Sequence, residues 1–182
     1  MRALSTAHVA AFTTEQIQSL SADDFGALTS GQVAALDGTQ LGAVSSSQLR
    51  ALTTSALSGL NTSNIQTLST DQIGALQATQ VAAFSTSQIA ALTTSQVPAL
   101  SNAAVAALRT AQVAAMSDEQ TQSLTSDQWP SVTLEDLQAM RPSQIAVLDT
   151  TQLGSFTPAQ RAALTTPQIA ALSNDQKAAL GL

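Results

Sequence analysis

Chemistry in this chain would have to come from one histidine, twelve scattered carboxylates and a great many hydroxyls. His8 is the only imidazole, and it has no cysteine, second histidine or basic partner with which to form a metal or catalytic set. The abundant Ser and Thr are not expected to be nucleophiles, because a hydroxyl needs an adjacent base to become one. No Ser–His–acid set, ligand cluster or glycine-rich phosphate loop is present. The expectation is a protein without enzymatic activity, cofactor or metal, in which His8 is a polar substitute for another residue type.

One stretch departs from this uniformity. Between Ser117 and Pro142 stand Asp118, Glu119, Asp127, Glu135 and Asp136, together with the single tryptophan, Trp129. One reading makes these six residues a partner patch, an acidic surface around an aromatic anchor that could bind a peptide or glycan or hold calcium weakly. The other makes them drift within a tolerant array, with Trp129 filling an ordinary core position.

The elements that would position these residues are set by a repeat. Ser5 to Leu180 is 176 residues and divides into 22 octads of the idealised form S-T-x-Q-V-A-A-L, without a frameshift. Eight residues cannot build a core alone, so the fold must come from stacking units on one another. Position 1 is Ser, Thr, Asp or Asn except at Gln77, Arg109 and Arg141, and position 4 is mostly Gln. Position 5 is apolar except at Thr121, Arg161 and Lys177; position 8 is apolar throughout, and position 7 is nearly always small.

This is the grammar of a helix start. Ser or Thr followed three residues later by Gln is a capping box, and the apolar residues at position 8 and the next position 5 form a hydrophobic staple. Leu92 should thus pack on Val97 across Thr93, and Leu68 on Ile73 across Ser69. Pro142 and Pro158 fall at the first helical residue, where proline is tolerated. All twelve carboxylates fall at positions 1 to 4, where the helix dipole favours anions. Pro98 and Pro130, at position 6, predict shortened or 3₁₀-like units.

A single long helix is excluded, because eight residues at about 100° each would wind the apolar stripe around the cylinder. A β-solenoid fits poorly, since Gln-Val-Ala-Ala-Leu does not alternate and Ala and Gln favour helix. The expected fold is all-α: a single solenoid or superhelix over residues 1–182, with one very short capped helix per octad and 22 units over 5–180. Residues 157–180 should close its C-terminal end, with Arg161 and Lys177 turning core positions toward water. Helices stacked in pairs about 8–10 Å apart would give a rod on the order of 100 Å.

Composition narrows the partners. The chain is 10% charged and 3% aromatic, with six basic residues and a formal net charge of -6. Nucleic acid is therefore not an expected partner, since its binding rests on Lys and Arg neutralising phosphates. No apolar run approaches the roughly 20 residues that span a bilayer, so no membrane insertion is expected. The first residues lack the apolar segment of a signal peptide, which suits a piece of a longer repeat protein. With no cysteine, both a secreted and a cytoplasmic location are compatible.

The octads Ser85-Thr-Ser-Gln-Ile-Ala-Ala-Leu92 and Thr165-Thr-Pro-Gln-Ile-Ala-Ala-Leu172 resemble the tandem L-T-T-x-Q-I-x-A repeats of large proteobacterial surface and secreted proteins. That resemblance implies an exported or cell-surface array and transfers no binding residue. The expected function is a structural rod or spacer within a larger polypeptide, with neighbouring domains or itself as partner. The alternative is a solenoid scaffold for a peptide or glycan. Ice or mineral binding by rows of Thr would need a flat lattice that helix caps do not readily give.

Overall fold

In a computed structural model the chain is described at Met1 and from Ala3 to Leu182. Each of the 22 octads forms one helical turn: twenty are α-helical, from Thr6–Ala10 to Asn174–Leu180, and two are 3₁₀. The 3₁₀ turns are Val97–Ala99 and Trp129–Ser131, the two octads with proline at position 6. Loss of the proline N–H from the second turn leaves a tighter turn as the available helix there.

The capping grammar is realised almost everywhere. In the octad of Ser85, the Gln88 N–H donates to Ser85 Oγ at 3.1 Å, and the Ser85 N–H donates to Gln88 Oε1 at 2.8 Å. Between helices the chain runs through two extended residues, as at Leu20 (φ -68, ψ 141) and Ser21 (φ -72, ψ 162). Repeating one corner at each octad winds the chain into a coil. Each helix packs mainly on the helix three octads on: first on fourth, second on fifth, third on sixth.

Positions 5 and 8 fill the inside of this coil in one continuous apolar cluster from Val9 to Leu180. Leu92, Val97, Leu68 and Ile73, the residues of the two expected staples, are all buried in it. Of the three phenylalanines at position 8, Phe84 and Phe156 are buried and Phe12 is partly so. Burial of a side chain of this kind contributes roughly 1.5–3 kcal/mol, against about 1–2 kcal/mol per residue of backbone entropy. A lone octad therefore gains nothing, and the array holds together through its neighbours.

Small residues at position 7 let turns approach closely. Gly59 shows the limit: a Cβ there would overlap the Ser30 carbonyl of the preceding turn. The pairwise stacking expected above is replaced by a wider coil of three to four octads per turn. Twenty-two octads then make about six turns, and at roughly 8–10 Å per turn the rod is about 50–60 Å long.

Candidate functional site

The residue that joins one turn to the next is the position 4 glutamine. Its Oε1 closes the capping box in its own octad, and its Nε2 donates to backbone carbonyls 28 and 31 residues earlier. Gln72 Nε2 lies 2.6 Å from Val44 O and 2.9 Å from Leu41 O; Gln96 lies 2.6 Å from Leu68 O and 2.8 Å from Ile65 O. The position 8 carbonyl four octads back accepts in every case, and beside it the position 5 carbonyl, except that Gln152 and Gln176 reach position 6 instead, at Gln122 O and Ala146 O. Position 8 needs this most, because the extended corner takes its carbonyl out of the helical pattern.

Every glutamine at position 4 from Gln32 to Gln176 makes this bond. Most of these side chains are buried, Gln112 and Gln144 completely. The result is a spiral of amide bridges that staples each turn to the last.

The capping box was legible in the sequence, but this second duty of the same side chain was not foreseen. A signal existed. Glutamate closes a capping box as well as glutamine does, yet position 4 never holds it, while position 3 holds Glu15, Glu119 and Glu135. Only an amide can accept from its own cap and donate across the turn at once.

The bridge is interrupted inside the array at Ala56, Asn64, Ala104 and Asp136. Ala56 and Ala104 keep only the hydroxyl half of the cap. Asn64 is one methylene short and reaches Leu36 O at 3.5 Å. Asp136 accepts from the Thr133 hydroxyl at 2.7 Å and makes no bond to the turn before.

Residues that broke the pattern at position 1 also turn out to bridge. Arg109 Nη2 donates to Phe84 O at 2.9 Å, and Gln77 Nε2 to Arg50 O at 3.3 Å. Arg141 donates to Ala114 O at 2.7 Å and Met116 O at 3.0 Å, and pairs with Asp118 at 3.0 Å. Each gives up the N-cap bond for a bond to the preceding turn. Position 4 still accepts from the cap N–H in all three octads.

At the C-terminal end Arg161 does what a glutamine four octads later would do. Its Nη2 lies 2.9 Å from Gly154 O and its Nε 3.1 Å from Phe156 O. The last helix then ends on Gly181, the only described residue with positive φ, at 78°. There the Leu182 N–H returns to Lys177 O at 3.0 Å. That is a glycine-type helix stop.

The six residues that one reading makes a partner patch do not all lie on the surface, since two of them are buried. Trp129 is fully buried, its ring centroid 5.1 Å from that of Phe156, so it fills core position 5 and is no exposed anchor. Asp136 is buried too. Asp118 is engaged by Arg141. Glu119, Asp127 and Glu135 are exposed. Thr121, the polar residue at a core position, donates to Ser117 O at 2.8 Å and accepts from Gln144 at 3.0 Å, so it is buried with its hydroxyl satisfied.

Electrostatics at the caps follow the helix ends. The Glu15 carboxyl is held below its usual range by its own backbone N–H and then by the Thr13 hydroxyl. Glu119 is lowered likewise by its own N–H and the Ser117 hydroxyl. For Asp24 the Ser21 hydroxyl and then the Ser21 N–H do the same. His8 sits in the box of Ser5, its Nδ1 3.3 Å from the Ser5 N. Among the described residues no group of three or more potential metal ligands gathers. Two shallow depressions lie between turns, one of about 570 Å³ beside Asn61, Ser87 and Arg109, the other of about 400 Å³ beside Arg50, Gln77 and Ala103.

A coil of capped single-turn helices, filled by its own side chains and stapled by buried amides, defines an octapeptide-repeat α-solenoid. The ALTTAQ repeat profile matches this chain at residues 1–30, 45–78, 70–102 and 133–166, together about two thirds of its length. The chain belongs to the ALTTAQ repeat family. No curated protein matches it.

Proposed function

We propose that the chain is a non-enzymatic structural module, a stiff rod or spacer in a larger bacterial surface or secreted protein. The observation that carries this is the unbroken core combined with the amide spiral. The inside of the coil is occupied from end to end, and the conserved polar chemistry within this chain's own repeat is spent on holding turns together. The hydroxyls most abundant in the sequence serve as helix caps, which supports a role without catalysis. Resemblance to repeats of proteobacterial surface proteins supports the location, with neighbouring domains of the same polypeptide at either end.

The test is whether the coil holds its ends at a fixed separation. Fluorophores attached through cysteines placed at Thr6 and Asn174, both on the surface, report that distance by single-molecule energy transfer. A spacer gives one narrow population near 50–60 Å, the length of about six stacked turns. A broad or collapsed distribution in a chain that keeps its helical circular dichroism would refute the reading.

A further inference from the structure

One arginine of the array shows what the place beside another is suited to hold. Arg141 and Arg109 both stand at position 1, and each donates to the position 8 carbonyl 25 residues earlier, at 3.0 Å to Met116 O and 2.9 Å to Phe84 O. Arg141 also holds a carboxylate. Its Nη2 lies 3.0 Å from Asp118 Oδ1, 23 residues earlier, and the Ser143 hydroxyl donates to the same oxygen at 3.2 Å. The residue at that register below Arg109 is Thr86, and Arg109 pairs with no carboxylate among the described residues. It is the only charged residue between Asp71 and Asp118. The second guanidinium is thus anchored like the first, with its charge unanswered.

The larger of the two depressions opens at this place. It is about 570 Å³, and Arg109, Asn61, Thr62, Ser85 and Ser87 on its walls are all exposed. The corners Leu60–Asn61 and Phe84–Ser85 that flank it have every N–H and C=O bonded within the chain. A peptide therefore finds no strand edge there to pair with. Among side chains, the Thr62 and Ser87 hydroxyls and the Asn61 Nδ2 have no partner among the described residues, and Arg109 donates through Nη2 alone. Those groups suit a compact ring that carries hydroxyls and one carboxylate.

We infer that this cleft binds a sugar acid, a hexuronate of a glycan. Arg109 takes its carboxylate as Arg141 takes Asp118, and Asn61, Thr62 and Ser87 meet its ring hydroxyls. The smaller depression is the same place two octads on, with Gln77, Ala78 and Ala103 at the registers of Asn61, Thr62 and Ser87. Both hydroxyls are replaced there by methyl groups, and the Gln77 amide is spent on Arg50 O at 3.3 Å. Thr125 stands at the register of Arg109, and the one cation on the walls, Arg50, comes from position 6. That second cleft is expected to leave the sugar acid unbound.

A spacer is complete with or without such a cleft, so the two readings fail separately. The test is nuclear magnetic resonance titration of the isotope-labelled 182-residue chain with trigalacturonate at neutral pH and low salt. Amide shifts are expected at Asn61, Thr62, Ser87 and Arg109 and not at Ala78 or Ala103, with a dissociation constant in the millimolar range that rises with salt. The methyl ester of the same trisaccharide should bind at least about tenfold more weakly, and so should R109Q, because each removes the charge-assisted pair. R109Q leaves the turn intact, since Phe84 O keeps its bond from Gln112 at 2.7 Å. T86D installs the chain's own carboxylate at the register of Asp118 and should shut the ligand out. S87A, which leaves the charge in place, should weaken binding by about two- to fivefold without altering its salt dependence. Absence of shifts at the four named residues would overturn the proposal, as would binding that R109Q or T86D leaves unchanged. Equal binding of the peptide acetyl-Gly-Asp-Gly-amide would overturn it too, since any carboxylate would then suffice.

Discussion

Replacing Gln88 is the sharpest way to weigh the amide spiral. Its side chain accepts from the Ser85 N–H at 2.8 Å and donates to Leu57 O at 2.9 Å and Leu60 O at 2.8 Å, almost wholly out of water. In Q88A three hydrogen bonds go. Leu57 O keeps its bond from the Leu60 N–H, and the Ser85 N–H lies where water can reach it, but Leu60 O is left buried and alone. At about 0.5–1.5 kcal/mol per bond, with the orphaned carbonyl at the upper end, the loss should be roughly 2–4 kcal/mol. Q88E separates bridging from capping. A carboxylate still accepts from Ser85 but turns a negative oxygen onto two carbonyl oxygens, so at neutral pH it should cost more than alanine. Protonation restores one donor. The pKa of that glutamate is therefore raised in the folded state, and the folded form binds more protons than the unfolded one. Relative to wild type, Q88E should be least destabilised below the ordinary glutamate range and lose stability as pH rises through the raised folded-state value. Urea unfolding followed by far-ultraviolet circular dichroism at pH 4, 5.5 and 7 measures both effects, with the slope checked for unchanged cooperativity. A Q88E variant no less stable than Q88A at pH 7, with a flat pH difference, would refute the bridging role.

Other expectations follow from the same geometry. A104Q supplies the missing amide to Ile73 O and Leu76 O and should raise the urea midpoint by an amount equivalent to about 1 kcal/mol. G59A pushes a methyl into the Ser30 carbonyl and should cost roughly 1–3 kcal/mol, whereas G42A, with open space around it in a helix, should stabilise by about 0.5–1 kcal/mol; thermal unfolding ranks the two. R161A should loosen the last turn first, seen as faster hydrogen exchange in octads 19 to 22 with the middle of the array unchanged. Glu15, Asp24 and Glu119 have folded-state pKa values below their ordinary ones, so their contribution is present above the ordinary carboxylate range and is lost as pH falls through the lowered values; acid titration of E15Q should show a smaller loss than wild type.

What the sequence disclosed and what it withheld divide along a physical line. Capping and turn chemistry act within one octad, so Ser85 with Gln88, Pro98 and Pro130 could be read directly and stand as expected. Packing between turns depends on the corner angle, which Leu20 and Ser21 set through backbone torsions that no residue type reveals. The coil therefore came out wider than helices stacked in pairs. The same blindness hid the outward half of glutamine's role, since its partners lie 28 and 31 residues away. Trp129 follows the second of the two readings of its stretch and fills the core. Asp127 and Glu135 near it are exposed, but the apolar residues of position 5 are buried or nearly so along the array, and the repeat phase was a better guide than local composition. Arg109 and Arg141, which looked like lapses in the cap, were answering a carbonyl of the turn before.

Because each amide finds its partner by counting four octads back, the partnership belongs to the slot and not to the residue that fills it. A copying slip that removes or adds one whole octad of codons moves every later glutamine onto a different but equivalent carbonyl, and the spiral closes again. A slip of any other length carries the amides to the wrong face. Such a gene can lengthen or shorten its product in steps of one octad, and heredity can adjust reach without having to redesign a fold.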